Sequence, residues 1–299
     1  MRAEQASSPP CPLCGAAGRF LIADSDRYLG IRPDVTHPYF SCASCQHYFQ
    51  PLIDTQLLLS FYPSSEYYRG SGSGLRATLD RVRQRNRARS VEWRAQKGRA
   101  LDIGCGRGLV LEQLRARGWA VAGMDWNAEN ARAVAERLEI PVAAGPDGLD
   151  SLEAQSFDAI SMFHVLEHEQ QPLELLRRAH RLLKPRGRLL VGVPNLASTA
   201  RRLFGRHWTG YDFARHRQVF SPQSLQSALR ACGFRNERLG ARLSDELLDL
   251  QGSARLLLRS RGSANPGLVA AMTLGAAALI AVPRLFGRNS VMYAYACKQ

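Results

Sequence analysis

At 299 residues, with 45% apolar and 22% charged residues, the chain can hold one α/β domain plus a small appendage, and its composition excludes a disordered or fibrous protein. The formal net charge is +14, yet only Lys97, Lys184 and Lys298 are lysines and the remaining 37 basic residues are arginines. That imbalance fits a GC-rich genome as well as it fits an anionic partner, be it membrane surface, nucleic acid or acidic substrate.

The opening MRAEQASSPP has no apolar run, so no secretory signal is expected. In the reducing, cytoplasmic compartment this implies, seven cysteines read as metal ligands or buried thiols. Residues 1–55 form a Cys-, Pro- and aromatic-rich module. Within it Cys11-x₂-Cys14, a 27-residue spacer and Cys42-x₂-Cys45 make two knuckles, each supplying two thiolates for one tetrahedral Zn²⁺. Four thiolates close the shell to water, so the ion is structural. His37 and His47 are spare nitrogens, while Cys105, Cys232 and Cys297 read as small apolar residues.

Residues 56–98 are a basic helical linker or lid, with one helix expected over 75–97 and broken by Gly98. From Arg99 to the end the pattern becomes strand–helix alternation. RALDIG is a buried strand, and LVLEQLRARG a helix with Gly118 just past its end. AVAGMD is the second strand, followed by a helix capped by Asn127, and IPVAAG the third. FDAISMFHV is a continuous apolar strand, PLELLRRAHRLLK a helix with one buried face, and RLLVGVPN the fifth strand. Ser221-Pro222 opens a helix that stops at Gly233. FRNERLGAR is a weak sixth strand and SVMYAYACK a clear last one. Five βα units with apolar strands imply a mostly parallel sheet covered on both faces.

Residues 243–288 stand out as an insertion before the last strand. Its uncharged core, 267–282, has 16 residues against the roughly 20 needed to cross a bilayer. Three readings are open: a helix in a membrane interface, a packed soluble helix, or a span. Arg255, Arg259, Arg261, Arg284 and Arg288 flank it and suit anionic headgroups, as in a peripheral protein on the inner face of the cytoplasmic membrane.

Between the first strand and first helix lies Leu101-Asp102-Ile103-Gly104-Cys105-Gly106-Arg107-Gly108. Glycines here allow positive φ and close approach of a ligand to the backbone. Leu109 occupies the third-glycine place of a dinucleotide fingerprint, which disfavours a nicotinamide enzyme. A G-x-G-x-G loop preceded by an acid suits a ligand that carries an amino group and no pyrophosphate, such as S-adenosylmethionine. Asp125 ends the second strand 17 residues past Gly108, where it can accept from ribose hydroxyls. Trp126 can lay its ring against the adenine.

LDIGCGRG, GMD, SFDAISMFHVLEHEQQP, LLKPRGRLLVGVPN and the terminal AYACK resemble, in order, the motif series of class I S-adenosylmethionine-dependent methyltransferases. They are most similar to the bacterial small-molecule branch with ubiquinone-type O-methyltransferases. The resemblance covers about residues 99–240 and 289–298. It implies a seven-stranded Rossmann-like sheet with the last strand antiparallel. It also implies that Asp102, Gly104, Cys105, Gly106 and Gly108 hold the methionine side and Asp125 the ribose, with Asp147 in the loosely aligned position after the third strand. The cysteine module resembles the zinc ribbon ahead of some bacterial methyltransferases.

Methyl transfer is an in-line displacement at an already activated carbon, so alignment and water exclusion dominate, and an oxygen nucleophile also needs a base. Strand carboxyl ends put Phe163, His164 and the VLEH turn beside the methyl. His164 is the first candidate base; His168 is a second, or pairs with Glu167 to fix the turn. HVLEH also matches a zinc-protease pattern, but that motif needs a helix. The segment 204–216 resembles an aromatic substrate loop, which makes Arg215 and His216 candidate contacts or an internally satisfied pair. Tyr67 and Tyr68 resemble an aromatic cover for the cofactor. The function expected is O-methylation of a small molecule, lipid or glycan precursor. The alternatives are a zinc-ribbon RNA methyltransferase and a non-catalytic, membrane-associated scaffold that binds the cofactor.

Overall fold

The computed structural model of the chain describes residues 8–26, 30, 32–62, 75–285 and 287–299. Two sheets organise it. The larger has seven strands in the order β10-β11-β8-β7-β4-β5-β6. Those strands are β4 (Arg99–Ile103), β5 (Ala120–Asp125), β6 (Val142–Ala144), β7 (Phe157–Phe163), β8 (Leu183–Pro194), β10 (Phe234–Gly240) and β11 (Val291–Lys298). All neighbours pair in parallel except β11, which runs antiparallel to both β8 and β10. This is the class I methyltransferase-like sheet expected from the motif series.

Both faces are covered because the central strands are apolar on both. Leu101, Ile103, Ile160, Met162, Val191 and Val193 pack on one side with α5 (Pro172–Leu182) and α7 (Pro222–Ala231). Ala100, Ala159, Leu190 and Tyr293 pack on the other with α2 (Leu75–Val91), α3 (Leu109–Arg115) and α4 (Ala128–Leu138). Local chemistry fixes the ends. Asn127 Oδ1 caps α4 by accepting from Asn130 N, and Ser221 and Ser224 form a capping box on α7. Gly118 takes a positive φ after α3. Helix α2 ends at Val91, short of the expected Lys97.

The smaller sheet, β1-β2-β3-β9, joins β1 (Gly18–Asp24), β2 (His37–Cys42) and β3 (Tyr48–Phe49) to β9 (Gln218–Val219). Its fourth strand comes from the segment between β8 and α7 of the main domain. The cysteine module expected to end near residue 55 therefore shares backbone pairing with the main domain. A short α1 (Thr55–Ser60), capped by Asp54, follows it.

The expected insertion is a helical hairpin, α8 (Leu243–Ser260) and α9 (Pro266–Leu285). It packs with α6 (Thr199–Phe204) through Leu196, Ala200, Phe204, Leu250, Ala254, Val269 and Ile280. No helix among the described residues is long and apolar enough to cross a membrane.

A buried ion pair ties α2 to this hairpin: Arg87 Nη2 lies 2.8 Å from Asp245 Oδ1, both side chains within the core. Burial raises the Asp245 carboxyl, but the Arg87 guanidinium, together with His164, a Tyr293 hydrogen bond and Arg83, outweighs it and holds the group below the usual carboxylate range. A depressed folded-state value means that this stability is present above the unfolded-state value and is lost as pH falls through the folded one. Asp245→Ala leaves a buried guanidinium unpaired and should cost about 3–5 kcal/mol in denaturant unfolding. A loss below about 1 kcal/mol would show that the pair contributes little net stability.

Candidate functional site

The glycine loop leaves β4 with three left-handed residues in alternation: φ is +68° at Gly104, +50° at Gly106 and +67° at Gly108. A Cβ at Gly104 would meet Val165 Cγ2 at 2.4 Å, and one at Gly108 would meet Val134 Cγ1 at 2.8 Å. At Gly106 it would meet nothing within 4 Å, so that flank is open. Cys105 gives its N–H to Met124 O at 3.0 Å and buries its thiol against Gly123. Only its backbone belongs to the loop surface.

Asp125 closes the loop. Its Oδ2 accepts from Gly106 N at 2.9 Å and its Oδ1 from Asn127 N at 3.0 Å. A carboxylate has about four acceptor sites, so lone pairs remain for a ligand. Asn130 adds a latch that sequence reasoning missed, donating from Nδ2 to Gly106 O at 2.7 Å. Asp102 is buried beneath the loop and accepts from Ser161 Oγ at 2.6 Å. Burial pushes its carboxyl up to about 7, against the Ser161 hydrogen bond and the Arg87 charge.

Trp126 is partly exposed and its indole N–H donates to Glu169 Oε1 at 2.9 Å, a second partner that sequence reasoning missed. Burial raises the Glu169 carboxyl to about 7. Asp147 lies exposed in the turn after β6. Phe163 is drawn inward: its ring packs 5.8 Å from that of Tyr293, with the Arg87 guanidinium 5.0 Å above it.

His164 follows β7 with φ at +57°, a conformation rare for a residue with a side chain. Its N–H is fixed by Gly192 O at 2.9 Å, and its Nδ1 lies 3.0 Å from Glu167 Oε1. The His164 side chain is 36% exposed whereas that of Glu167 is fully buried. Burial alone would raise the Glu167 carboxyl, yet the His164 hydrogen bond and three surrounding imidazoles hold it below its ordinary range. Glu167 is thus an ionised carboxylate orienting a partly exposed imidazole.

The other two histidines face inward. His168 Nδ1 lies 2.9 Å from the Tyr62 hydroxyl and 3.2 Å from Arg215 O, and burial lowers its pKa to about 3. The His216 ring meets it edge-on at 4.8 Å, with Nδ1 3.0 Å from Gly210 O. Donor atoms of Glu167, His168 and His216 lie within 4.8 Å of one another, a spacing that also suits a metal ion. Arg215, expected as a substrate contact or as part of an Arg-His pair satisfied within the loop, forks onto Asp212 at 2.6–2.9 Å and faces Asp26 at 3.6 Å. Tyr67 and Tyr68 lie outside the described residues.

Cys11, Cys14, Cys42 and Cys45 come together, with Sγ–Sγ separations of 3.4–3.6 Å, far beyond a disulfide bond. Thiolates at about 2.3 Å around a tetrahedral ion would sit about 3.8 Å apart, so the donor set fits Zn²⁺. The two knuckles are built alike. Cys11 O accepts from Gly15 N and Cys42 O from Gln46 N, while Cys11 N donates to Ala16 O and Cys42 N to His47 O. Gly15 and Gln46 both take positive φ. His37 and His47 stand apart from this cluster. Instead, His47 Nε2 lies 2.7 Å from Gln218 Oε1, and the His37 ring packs on Phe61.

The module grips the candidate substrate loop. Tyr39 donates its hydroxyl to both Tyr211 O (2.7 Å) and His216 O (2.6 Å), and Gln50 donates to Phe213 O at 2.7 Å. Buried Arg217 returns the contact to Gln50 and Pro51 O. On the basic helix α2, Arg83 pairs with Asp80 and Arg87 turns inward onto Asp245, while Arg81, Arg85 and Arg89 are exposed.

Residues 75–239 match the family model described as Methyltransferase domain. A ubiquinone biosynthesis O-methyltransferase of Pseudomonas aeruginosa is 33% identical over 103 residues, 32% of this chain and 44% of the relative. One of Caulobacter vibrioides is 34% identical over 101 residues, 32% of this chain and 40% of the relative. The chain thus matches less than half the length of either. Among solved structures, an S-adenosylmethionine-dependent methyltransferase of Archaeoglobus fulgidus superposes with a TM-score of 0.50 at 21% identity, over 82% of this chain and all of the other, a likeness of fold. With its glycine loop latched by a carboxylate at the neighbouring strand tip, on the sheet of this fold, the chain belongs to the methyltransferase domain family.

Proposed function

We propose that the chain transfers a methyl group from S-adenosylmethionine to an oxygen of a small molecule, lipid or glycan precursor. The observation that carries this reading is the latched loop, open at Gly106 and flanked by two carboxylates suited to an ammonium and to ribose hydroxyls. Asp102, Gly104, Cys105, Gly106 and Gly108 would hold the methionine portion. Asp125 would hold the ribose and Trp126 the adenine, with Phe163 and Asp147 at the margins. The cofactor supplies a sulfonium methyl, and the protein aligns the acceptor and keeps water out.

His164 is the base in this scheme. With Nδ1–H given to Glu167, Nε2 keeps its lone pair and can take the acceptor's proton, and Glu167 stabilises the resulting imidazolium. The uncommon backbone at His164 agrees with a side chain held in place for a task. His168 suits that role less, because burial lowers its pKa to about 3, which makes it a poor proton acceptor, and its Nδ1 is already engaged by Tyr62 and Arg215 O. It and His216 are read instead as the wall that joins the VLEH turn to the substrate loop. The cysteine module is read as a structural Zn²⁺ site that props this loop through Tyr39 and Gln50.

Incubation with radiolabelled S-adenosylmethionine and cell extract tests the activity. His164→Ala should keep cofactor affinity and slow label transfer by about 10²-fold or more. Unchanged turnover removes it as base, and no labelled product with either protein leaves a binding scaffold. Cofactor affinity should also depend on pH. In the free protein Asp102 titrates at about 7, and a bound ammonium favours its charged form. Binding should therefore weaken by up to about tenfold per pH unit below that value and level off above it. Calorimetry showing a flat profile from acid to alkaline pH, equal to that of Asp102→Asn, would refute this.

Metal analysis should find about one zinc per chain, released by Cys42→Ser/Cys45→Ser. If the module props the loop, that variant should raise the KM for the acceptor while leaving S-adenosylmethionine affinity within about twofold. Equal loss of both would mean that the module supports the whole fold.

A further inference from the structure

Helix α9 is built on two apolar faces, and the fold uses one. Val269, Ala276 and Ile280 turn inward onto α6 and α8. The opposite face carries Leu268, Ala270, Ala271, Leu274, Gly275, Ala278, Leu279, Ala281 and Val282, all exposed. Leu274, Leu279 and Val282 are 70%, 66% and 64% accessible, and a side chain at Gly275 would meet nothing within 4 Å. A helix on a protein surface ordinarily turns polar residues outward, and a continuous apolar face marks a binding surface. No described residue covers this one.

The charges that flank it in the sequence beyond Asp249 are of one sign. No aspartate or glutamate follows Asp249, and the last fifty positions hold Arg255, Arg259, Arg261, Arg284, Arg288 and Lys298. Arg255, Arg259 and Arg261 stand exposed along the end of α8 and the turn into α9, and Arg288 is exposed just beyond α9. An apolar strip about 20 Å long, from Leu268 to Val282, with arginines beyond its ends lacks the acidic counterpart that a like copy would need, and it complements anionic headgroups over acyl chains. The strip is too short on apolar residues to span and lies along the surface.

We propose that the α8–α9 hairpin seats the protein in the plane of an anionic bilayer surface, through the outer face of α9. This deepens the peripheral-membrane reading by assigning the surface that docks. The hairpin links Gly240, at the end of β10, to Val291, which pairs with Pro194 at the carboxyl end of β8. Gly104–Gly108, Asp125 and His164 occupy that same edge of the sheet. Docking on α9 brings the carboxyl edge near the headgroups, where a membrane-held acceptor would be presented.

The test is co-sedimentation of the full, zinc-loaded chain with extruded vesicles, either phosphatidylcholine alone or phosphatidylcholine with phosphatidylglycerol. Uptake by the mixed vesicles should be at least about tenfold greater and fall as salt is raised. L274E/L279E, at exposed positions, should abolish uptake, and R255Q/R259Q/R261Q should remove the preference for anionic vesicles. Both should bind S-adenosylmethionine as the unsubstituted chain does, so the result stands apart from the methyl-transfer reading. Absence of uptake by the unsubstituted chain, or uptake unchanged in L274E/L279E, overturns the proposal. So does a dimer in light scattering that L274E/L279E dissociates without any vesicle binding, which would assign the face to a second copy.

Discussion

The hydrogen bond from Gly106 N to Asp125 Oδ2 is the contact on which the site rests. Three alternating left-handed glycines would otherwise leave a soft loop, since glycine loses more conformational freedom on ordering than any other residue. Asp125 offsets that cost with a rigid strand end, and Asn130 repeats the latch from the first turn of α4. The loop, the tip of β5 and the start of α4 are thereby one unit. The side of Gly106 left open is the place where any added side chain would obstruct a ligand.

A second unit is assembled from opposite ends of the chain. The knuckled module brings β3 against β9, so residues 48–49 and 218–219 share a ladder. Tyr39 bonds the carbonyls of Tyr211 and His216, which fixes the backbone of the loop from its own interior. Loops are tolerated at surfaces because buried backbone must find partners. This loop is buried and finds its partners in the module. The small sheet is thus more than an appended domain.

Charge is distributed by burial rather than by count. Arginines dominate the composition, yet Arg87, Arg215 and Arg217 are sunk into the fold and tied to carboxylates, amide oxygens or carbonyls. The same principle separates the histidines. His164 keeps a solvent-facing side and a charged orienting partner, while His168 and His216 give theirs to carbonyls and to each other. A motif that writes two histidines four positions apart places them in unlike environments, because β7 ends at Phe163 and the tight turn that follows carries His168 inward while His164 stays at the strand tip.

Period and punctuation in the sequence determined most of the sheet. Apolar runs bounded by glycine, the Asn127 and Ser221 caps and the glycine-rich turn each act within a few residues, so local rules reach them. The cysteine spacing likewise announced a four-thiolate cluster, since two knuckles need only two short turns. Tertiary structure alone decided what those pieces meet. Nothing near Gln218 signals a strand of the small sheet, nothing near Asp26 signals that it will face Arg215, and α8 carries no cue that Asp245 will pair with Arg87. Partners more than a hundred positions apart are chosen by packing, whose free energy depends on the whole fold, whereas turns and caps are settled by backbone sterics and hydrogen bonds at hand.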